Sequence, residues 1–499
     1  MKSFSLLFFL IVSLSAVKAQ KVTLVSGNEI ELPNREKFVD VLHSDASGAF
    51  VFERHYKNIN YLFKSEKVGT LYKFDQNCNI LFQKTLDVDL SLIKYVNGAL
   101  YGLDSKYDSK EKKLSLLMCE ISATDGSTKY PLKEIASVTY LTKNEDRISW
   151  GTINSPQSSF VIYLNQSTDK ENNLHIYRVD SKGTVSHSTT SIGSGNDLTV
   201  LRRVFIREDK LVAIVNNYDY TKEKRKQKFL KDISINIYSA KGELLNKIPV
   251  EVKDKFITAT DFNFTDDNNL LATGFYSDEI DVEYNNGFFT ALVDLKIGKV
   301  VSTDSKPISK LSLGYAKEGD KKATQGTEGN YKFRELAKHP SGDSYVLVAE
   351  NEWNSDYTST SAFNTDLSKG YLGTTTRSLF INKSEDIFLV GISKTGKINW
   401  VSNVPKRQEE RFRASSPSAT DFPYFSSLAV IPTVKNLFIL FNDDKRNSSI
   451  TSAGEKPKEA DDFDKTVLQV LTVDYTSGKL SRQAVDNAEN GSYIYQPKN

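Results

Sequence analysis

The chain has 499 residues, 39% hydrophobic and 26% charged, which allows a large core and excludes global disorder. Lys and Arg number 65 against 63 Asp and Glu, so no long-range field favours nucleic acid or an anionic membrane surface. With 28 Phe, 24 Tyr and only 2 Met, the composition leans toward strands.

Residues 1–19 read as a targeting segment. Lys2 supplies the positive start, Leu6 to Val17 an apolar run too short to span a bilayer, and Val17-Lys18-Ala19 a signal-peptidase site. Cleavage after Ala19 is expected, leaving Gln20 first. No Cys lies near the cut to carry a lipid, and no later apolar run is long enough to cross a membrane. The expected location is therefore exported, either periplasmic or extracellular. Residues 20–37 form a strand-like stretch around Val22–Leu32 that could help close a ring. Residues 487–499 form a polar tail.

Between residues 38 and 486 one phrase returns seven times: an apolar strand, a polar turn with Gly, then a second strand. The copies are Leu71–Leu86, Leu114–Leu132, Leu174–Ser186, Ile235–Val250, Phe288–Val301, Ile387–Val401 and Val467–Val485. Asn79 takes the Gly position in the first, as Asn tolerates a positive φ. Another strand pair precedes each copy, so the unit has four antiparallel strands, A to D. The pattern predicts an all-β fold, a single seven-bladed β-propeller of four-stranded antiparallel blades. A pair of β-sandwiches would not explain seven copies of one phrase.

Strand direction sorts the connections. A–B and C–D turns share one face and are short. The insertions fall on the other: 220–231, 277–287, 302–330, 351–384, 406–424 and 443–464. Loops on a rigid scaffold are where binding is usually built, although surface padding would look the same. Within 351–384, Trp353 and Tyr357 are aromatic anchors of hot-spot type, and Ser355–Thr376 reads as mobile Ser/Thr/Gly-rich chain. Within 406–413, Arg407, Arg411 and Arg413 could grip a partner or belong to a solvated, salt-bridged loop. The basic run 222–228 lacks the aromatic interleaving of a nucleic-acid site. The first strands face the channel, which nominates Arg202, Asp261 and Arg334 as its charged lining.

No metal or cofactor spacing is present. His43, His55, His175, His187 and His339 form no pair at ligand spacing, and Ile192-Gly193-Ser194-Gly195 does not precede a helix. The acid pairs Asp266-Asp267, Asp443-Asp444 and Asp461-Asp462 read as turn chemistry. Cys78 and Cys119 could be bridged in an exported protein or remain two free thiols.

Four pieces then carry a resemblance: Lys397-Ile398-Asn399-Trp400, Val404-Pro405-Lys406-Arg407-Gln408, Tyr424-Phe425-Ser426-Ser427 and Leu437–Asp443. Over residues 331–447 the chain resembles uncharacterised secreted β-propeller-like proteins of Bacteroidetes-type bacteria. That resemblance implies an envelope or extracellular setting and no particular chemistry. Ser416–Pro423 departs from the pattern. The function expected is a binding or scaffold module for a protein or glycan, acting as a monomer through the long-loop face of blades 4–7. The alternative is a hydrolase or lyase with carboxylates facing the channel.

Overall fold

The computed structural model describes residues 37–485 except 46, 61–63, 130, 140–146, 155–159, 169, 181–183, 195–197, 208–209, 221–227, 266–267, 281–283, 309–326, 329–330, 365–371, 415–427, 452–454 and 461–465. The targeting segment, the strand-like 20–36 stretch, basic residues 222–227 and the C-terminal tail therefore lie outside the described residues. Seven antiparallel sheets, each built on four consecutive blade strands, follow one another along the chain as the blades of a β-propeller, and the sixth carries one strand more. They span 37–85, 92–139, 147–194, 199–250, 256–307, 331–404 and 429–484, numbered blades 1 to 7. Among the described residues, no helix is long and apolar enough to cross a membrane.

The near-continuous apolar runs in the central strands follow from this packing. A central strand is buried on both faces, and its period of two divides it between two cores. In blade 6, Tyr345, Leu347 and Ala349 enter the core shared with blade 5, while Val346 and Val348 enter the core shared with blade 7. Further two-blade cores join blades 1 and 2, 2 and 3, 3 and 4, and 4 and 5.

The C–D turns explain the repeated phrase. Each begins with Asp or Ser: Asp75, Ser122, Asp180, Ser239, Asp294, Ser393 and Asp474. That side chain accepts backbone N–H groups of the turn, as Asp294 does from Lys296 and Ile297, and Asp474 from Thr476 and Ser477. Gly298, Gly396 and Gly478 supply the positive φ. In blade 1 the left-handed residue is Cys78, at φ 60°, and not Asn79. The Asn79 N–H instead donates to Asp75 at 2.8 Å.

Cys78 and Cys119 are not bridged. Cys78 sits exposed on its turn, whereas Cys119 is fully buried in the core between blades 1 and 2. Burial pushes the Cys119 thiol up to about 11.

Candidate functional site

The largest departure from the repeat is in blade 6. Its B and C strands run on past the sheet as Ser344–Asn364 and Leu372–Ser393. Residues 351–384, expected to be a loop with mobile chain, are thus strands as far as Asn364 and again from Leu372. They form an arm on the long-loop face, because B strands run from the A–B turns toward that face. Gln408–Ala414 adds a third strand by pairing with 378–384. Residues 408–413 of the mixed-charge run are therefore strand and not loop. Residues 378–384 extend past the blade and present a backbone ladder on the side away from the B strand, and Gln408–Ala414 completes it.

Residues paired across antiparallel strands share a face. The register sets Trp353 opposite Lys383 and Glu409, Ser355 opposite Ile381 and Arg411, and Tyr357 opposite Leu379 and Arg413. Trp353, Tyr357, Arg411 and Arg413 therefore occupy one face of the three-stranded arm. Arg407 precedes the third strand and pairs with Glu459 of the blade 7 loop.

The root of the arm is clamped by buried charge. Glu350 ends the apolar run of the B strand, is fully buried, and pairs with fully buried Lys406. Arg334, 14% exposed, donates through Nε to Glu350 and through Nη2 to Glu352, each at 2.6 Å. Lys332 reaches Glu352 at 2.7 Å, and Lys383 reaches Glu409 at 2.8 Å. Lys406 also donates to Gln408 Oε1 at 2.6 Å, and Gln408 donates to the Asn442 carbonyl of blade 7. Burial pulls the Lys406 ammonium down, and Glu350 opposes it. Burial also works against the charge of Arg334, but Glu350 and then Glu352 outweigh it and hold the guanidinium up.

A second buried pair continues the clamp into blade 7. Asp443 and Arg482 are both fully buried and pair with each other. Arg482 Nη1 also donates to the Pro405 carbonyl at 3.1 Å, tying the pair back to the chain before Lys406. Both cations lie over the Phe441 ring, with Arg482 Cζ 4.9 Å and Lys406 Nζ 5.7 Å from its centroid. Asn447 donates to Asp443 at 3.0 Å and to the Lys458 carbonyl at 2.8 Å, pinning the long loop of blade 7. Asp443 is thus not turn chemistry. Its neighbour Asp444 is, since it accepts the Arg446 N–H at 2.8 Å.

Where the blade 6 C strand leaves the sheet, its register slips between the Glu350–Ile387 and Glu352–Ser384 pairs. Asp386 sits in this bulge, 7% exposed. Burial and then Glu385 raise its carboxyl to about 7, opposed by the Lys406 backbone N–H and by Asn403. Its Oδ1 has no hydrogen-bond partner.

The three charged residues expected at the channel, Arg202, Asp261 and Arg334, have different surroundings. The A strands of blades 1, 4, 5 and 6 each carry a bulge, at Leu42, Arg202, Thr258 and Arg334. Arg202 is exposed on its bulge. The next residue, Arg203, bonds Asp261 of blade 5 at 2.7 Å and the Phe262 carbonyl at 3.0 Å. Arg334 is held in the wall by its two glutamates. Glu335, next in the blade 6 A strand, is solvent-accessible, and burial and then Asp261 raise its carboxyl above the ordinary glutamate value.

Sequence reasoning missed Glu350, Lys406, Asp443, Arg482, Arg203 and Glu335. One signal could have found the acids of the clamp. An acid follows the apolar run of the B strand in blades 6 and 7, at Glu350 and Asp443, and again at buried Glu53 in blade 1.

No protein-family profile and no curated protein matches the chain. Among solved structures it is similar to a protein of unknown function from Bacteroides caccae, at 13% identity, 67% of this chain, 89% of that chain and a TM-score of 0.28. It is similar also to the polysaccharide lyase Uly1, at 10% identity, 92% of this chain, 94% of that chain and a TM-score of 0.37. A third is a sucrose-6-phosphate hydrolase from Lactobacillus gasseri, at 10% identity, 92% of this chain, 86% of that chain and a TM-score of 0.28. Likenesses this distant assign no chemistry to the chain.

Proposed function

We propose that the protein is an exported binding module that presents the blade 6 arm to a protein or glycan partner. The observation that carries this reading is the register of the arm. It collects Trp353, Tyr357, Arg411 and Arg413, residues far apart in sequence, on one face of a sheet whose root is locked by buried ion pairs. Aromatic and Arg side chains are the usual anchors of interfaces, and a rigid root limits the entropy lost on binding. Arg411 and Arg413 suit an acidic or carboxylate-bearing surface.

The test removes Asn354–Thr376 and, separately, replaces Arg411 and Arg413 by Ala. Captured envelope proteins and an acidic-glycan array are compared with the unaltered chain. Each change is expected to weaken the partner interaction at least tenfold. Unchanged affinity in the deleted chain would overturn the reading.

The Asp261–Glu335 arrangement favours a second reading, a channel hydrolase or lyase. Two carboxyls in unlike surroundings, one ion-paired with Arg203 and one raised, are what acid–base division of labour needs. Turnover of a polysaccharide panel that disappears in Glu335→Gln would support it. Identical turnover in that variant would exclude Glu335 as the acid.

A further inference from the structure

Blade 3 carries an imidazole cluster unrelated to the arm. His175 lies in the C strand Glu171–Val179, and His187 and Thr189 lie in the D strand Val185–Ser194. The register pairs His175 with Thr189 and Tyr177 with His187, so the two histidines are diagonal neighbours. Both converge on one atom: His175 Nδ1 and His187 Nε2 are each 3.0 Å from Thr189 Oγ1. The rings are stacked at 5.8 Å, and Tyr177 stacks on His187 at 4.6 Å, which fixes the second imidazole.

The surrounding hydrogen bonds set the direction of the first. Gln166 Nε2 donates to the Thr139 carbonyl at 3.0 Å, which leaves Gln166 Oε1 facing His175 Nε2 at 3.3 Å. An amide oxygen only accepts, so His175 carries its proton on Nε2 and turns the Nδ1 lone pair toward Thr189. Thr189 then donates its one hydroxyl proton to His175 Nδ1 and accepts from His187 Nε2, so a cation held by both nitrogens requires the Thr189 bonds to open and the His187 proton to move to Nδ1. A ring N–H given to a carbonyl oxygen is the arrangement that orients a metal-binding imidazole.

We propose that the outer strands of blade 3 form a two-imidazole site for a borderline divalent transition-metal ion, Cu(II) or Ni(II), held by His175 Nδ1 and His187 Nε2. The ion takes the place toward which the Thr189 hydroxyl now points. Bonds of about 2.0–2.1 Å need each ring to close by about 1 Å or the hydroxyl to rotate aside. His187 and Thr189 are exposed, so the position is open to solvent, and water completes the coordination. Among the described residues no group of three or more His, Cys, Asp or Glu side chains could hold a metal. With only two nitrogens, copper is favoured over zinc, and copper and nickel over manganese, by intrinsic affinity.

The test is calorimetric titration of the full chain, tag removed, with NiCl2 in a non-coordinating buffer at pH 7.5, beside low-temperature EPR of the Cu(II)-loaded protein. One equivalent is expected, with nitrogen hyperfine structure from two imidazoles. His187→Gln lies on the surface and should keep the unfolding midpoint while weakening nickel at least tenfold and halving the nitrogen coupling. Absence of binding would overturn the site, as would equal affinity in His187→Gln and in His175→Gln.

Discussion

At the scale of single residues, the molecule concentrates buried charge where blade 6 stops being a propeller blade. Taking Glu350, Lys406, Asp443 and Arg482 out of water costs several kcal/mol each, offset only if every ion keeps its partner. Such a network is weak support for stability, but it fixes one geometry at the arm root. Asp386 differs because its carboxyl is held neutral. Its protonation range lies near 7, against 3.8 ordinarily. Between about pH 4 and 7 the folded chain keeps this proton and the unfolded chain has lost it, so the folded state binds more protons. Stability from this group is therefore present at low pH, falls as pH rises through that window, and stays low above it. Asp386→Asn should leave the urea midpoint near wild type at pH 4.5 and raise stability by roughly 2–4 kcal/mol at pH 8. A difference between variant and wild type that is the same at both pH values would mean that the group is not held neutral.

At the scale of elements, four A strands carry bulges, and the one in blade 5 needs room. In blade 5 the bulge at Thr258 brings the Ala259 carbonyl against Gly274 of the B strand, where a Cβ would lie 1.9 Å from that oxygen. The obstacle is backbone and cannot rotate away. Gly274→Ala should cost about 2 kcal/mol or more, above the usual surface change, read as a lower denaturation midpoint. An unchanged midpoint would show that the bulge relaxes without loss. Such bulges were not legible in the sequence, because nothing in Leu201-Arg202-Arg203 or Thr258-Ala259 distinguishes the extra residue from its neighbours. The blades were legible because their turns are local: Asp or Ser opens the C–D turn, and Gly usually closes it. The arm was not, because Ser355–Thr376 has the composition of a loop, and the third strand, Gln408–Ala414, pairs with residues 378–384 across a long separation. Its candidate anchors could be named from residue type, but only the register showed four of them on one face. The acids of the clamp were hidden for a related reason, since Glu350 and Lys406 meet only after the C and D strands fold back.

At the scale of the whole molecule, the alternation of each central strand between two cores ties the blades together. Phe275 and Phe288 of blade 5 face Tyr331 and Phe388 of blade 6, while Ala272 and Phe289 face blade 4 through Ile235 and Val212. Opening one blade therefore strips apolar cover from both neighbours and costs two cores. Independent unfolding of a single blade is unfavourable for that reason, and the described ring should melt as one unit. Ile235→Ala, in the core between blades 4 and 5, and Leu437→Ala, between blades 6 and 7, should each cost about 2–5 kcal/mol. Both should shift one common transition. Fluorescence reports Trp150 in blade 3, Trp353 in the arm and Trp400 at the junction of blades 6 and 7 together, and far-UV circular dichroism reports all strands. The two signals should coincide in both variants. Two separated transitions in Leu437→Ala, with circular dichroism tracking only one of them, would show that blades 6 and 7 and their arm form a cooperative unit of their own.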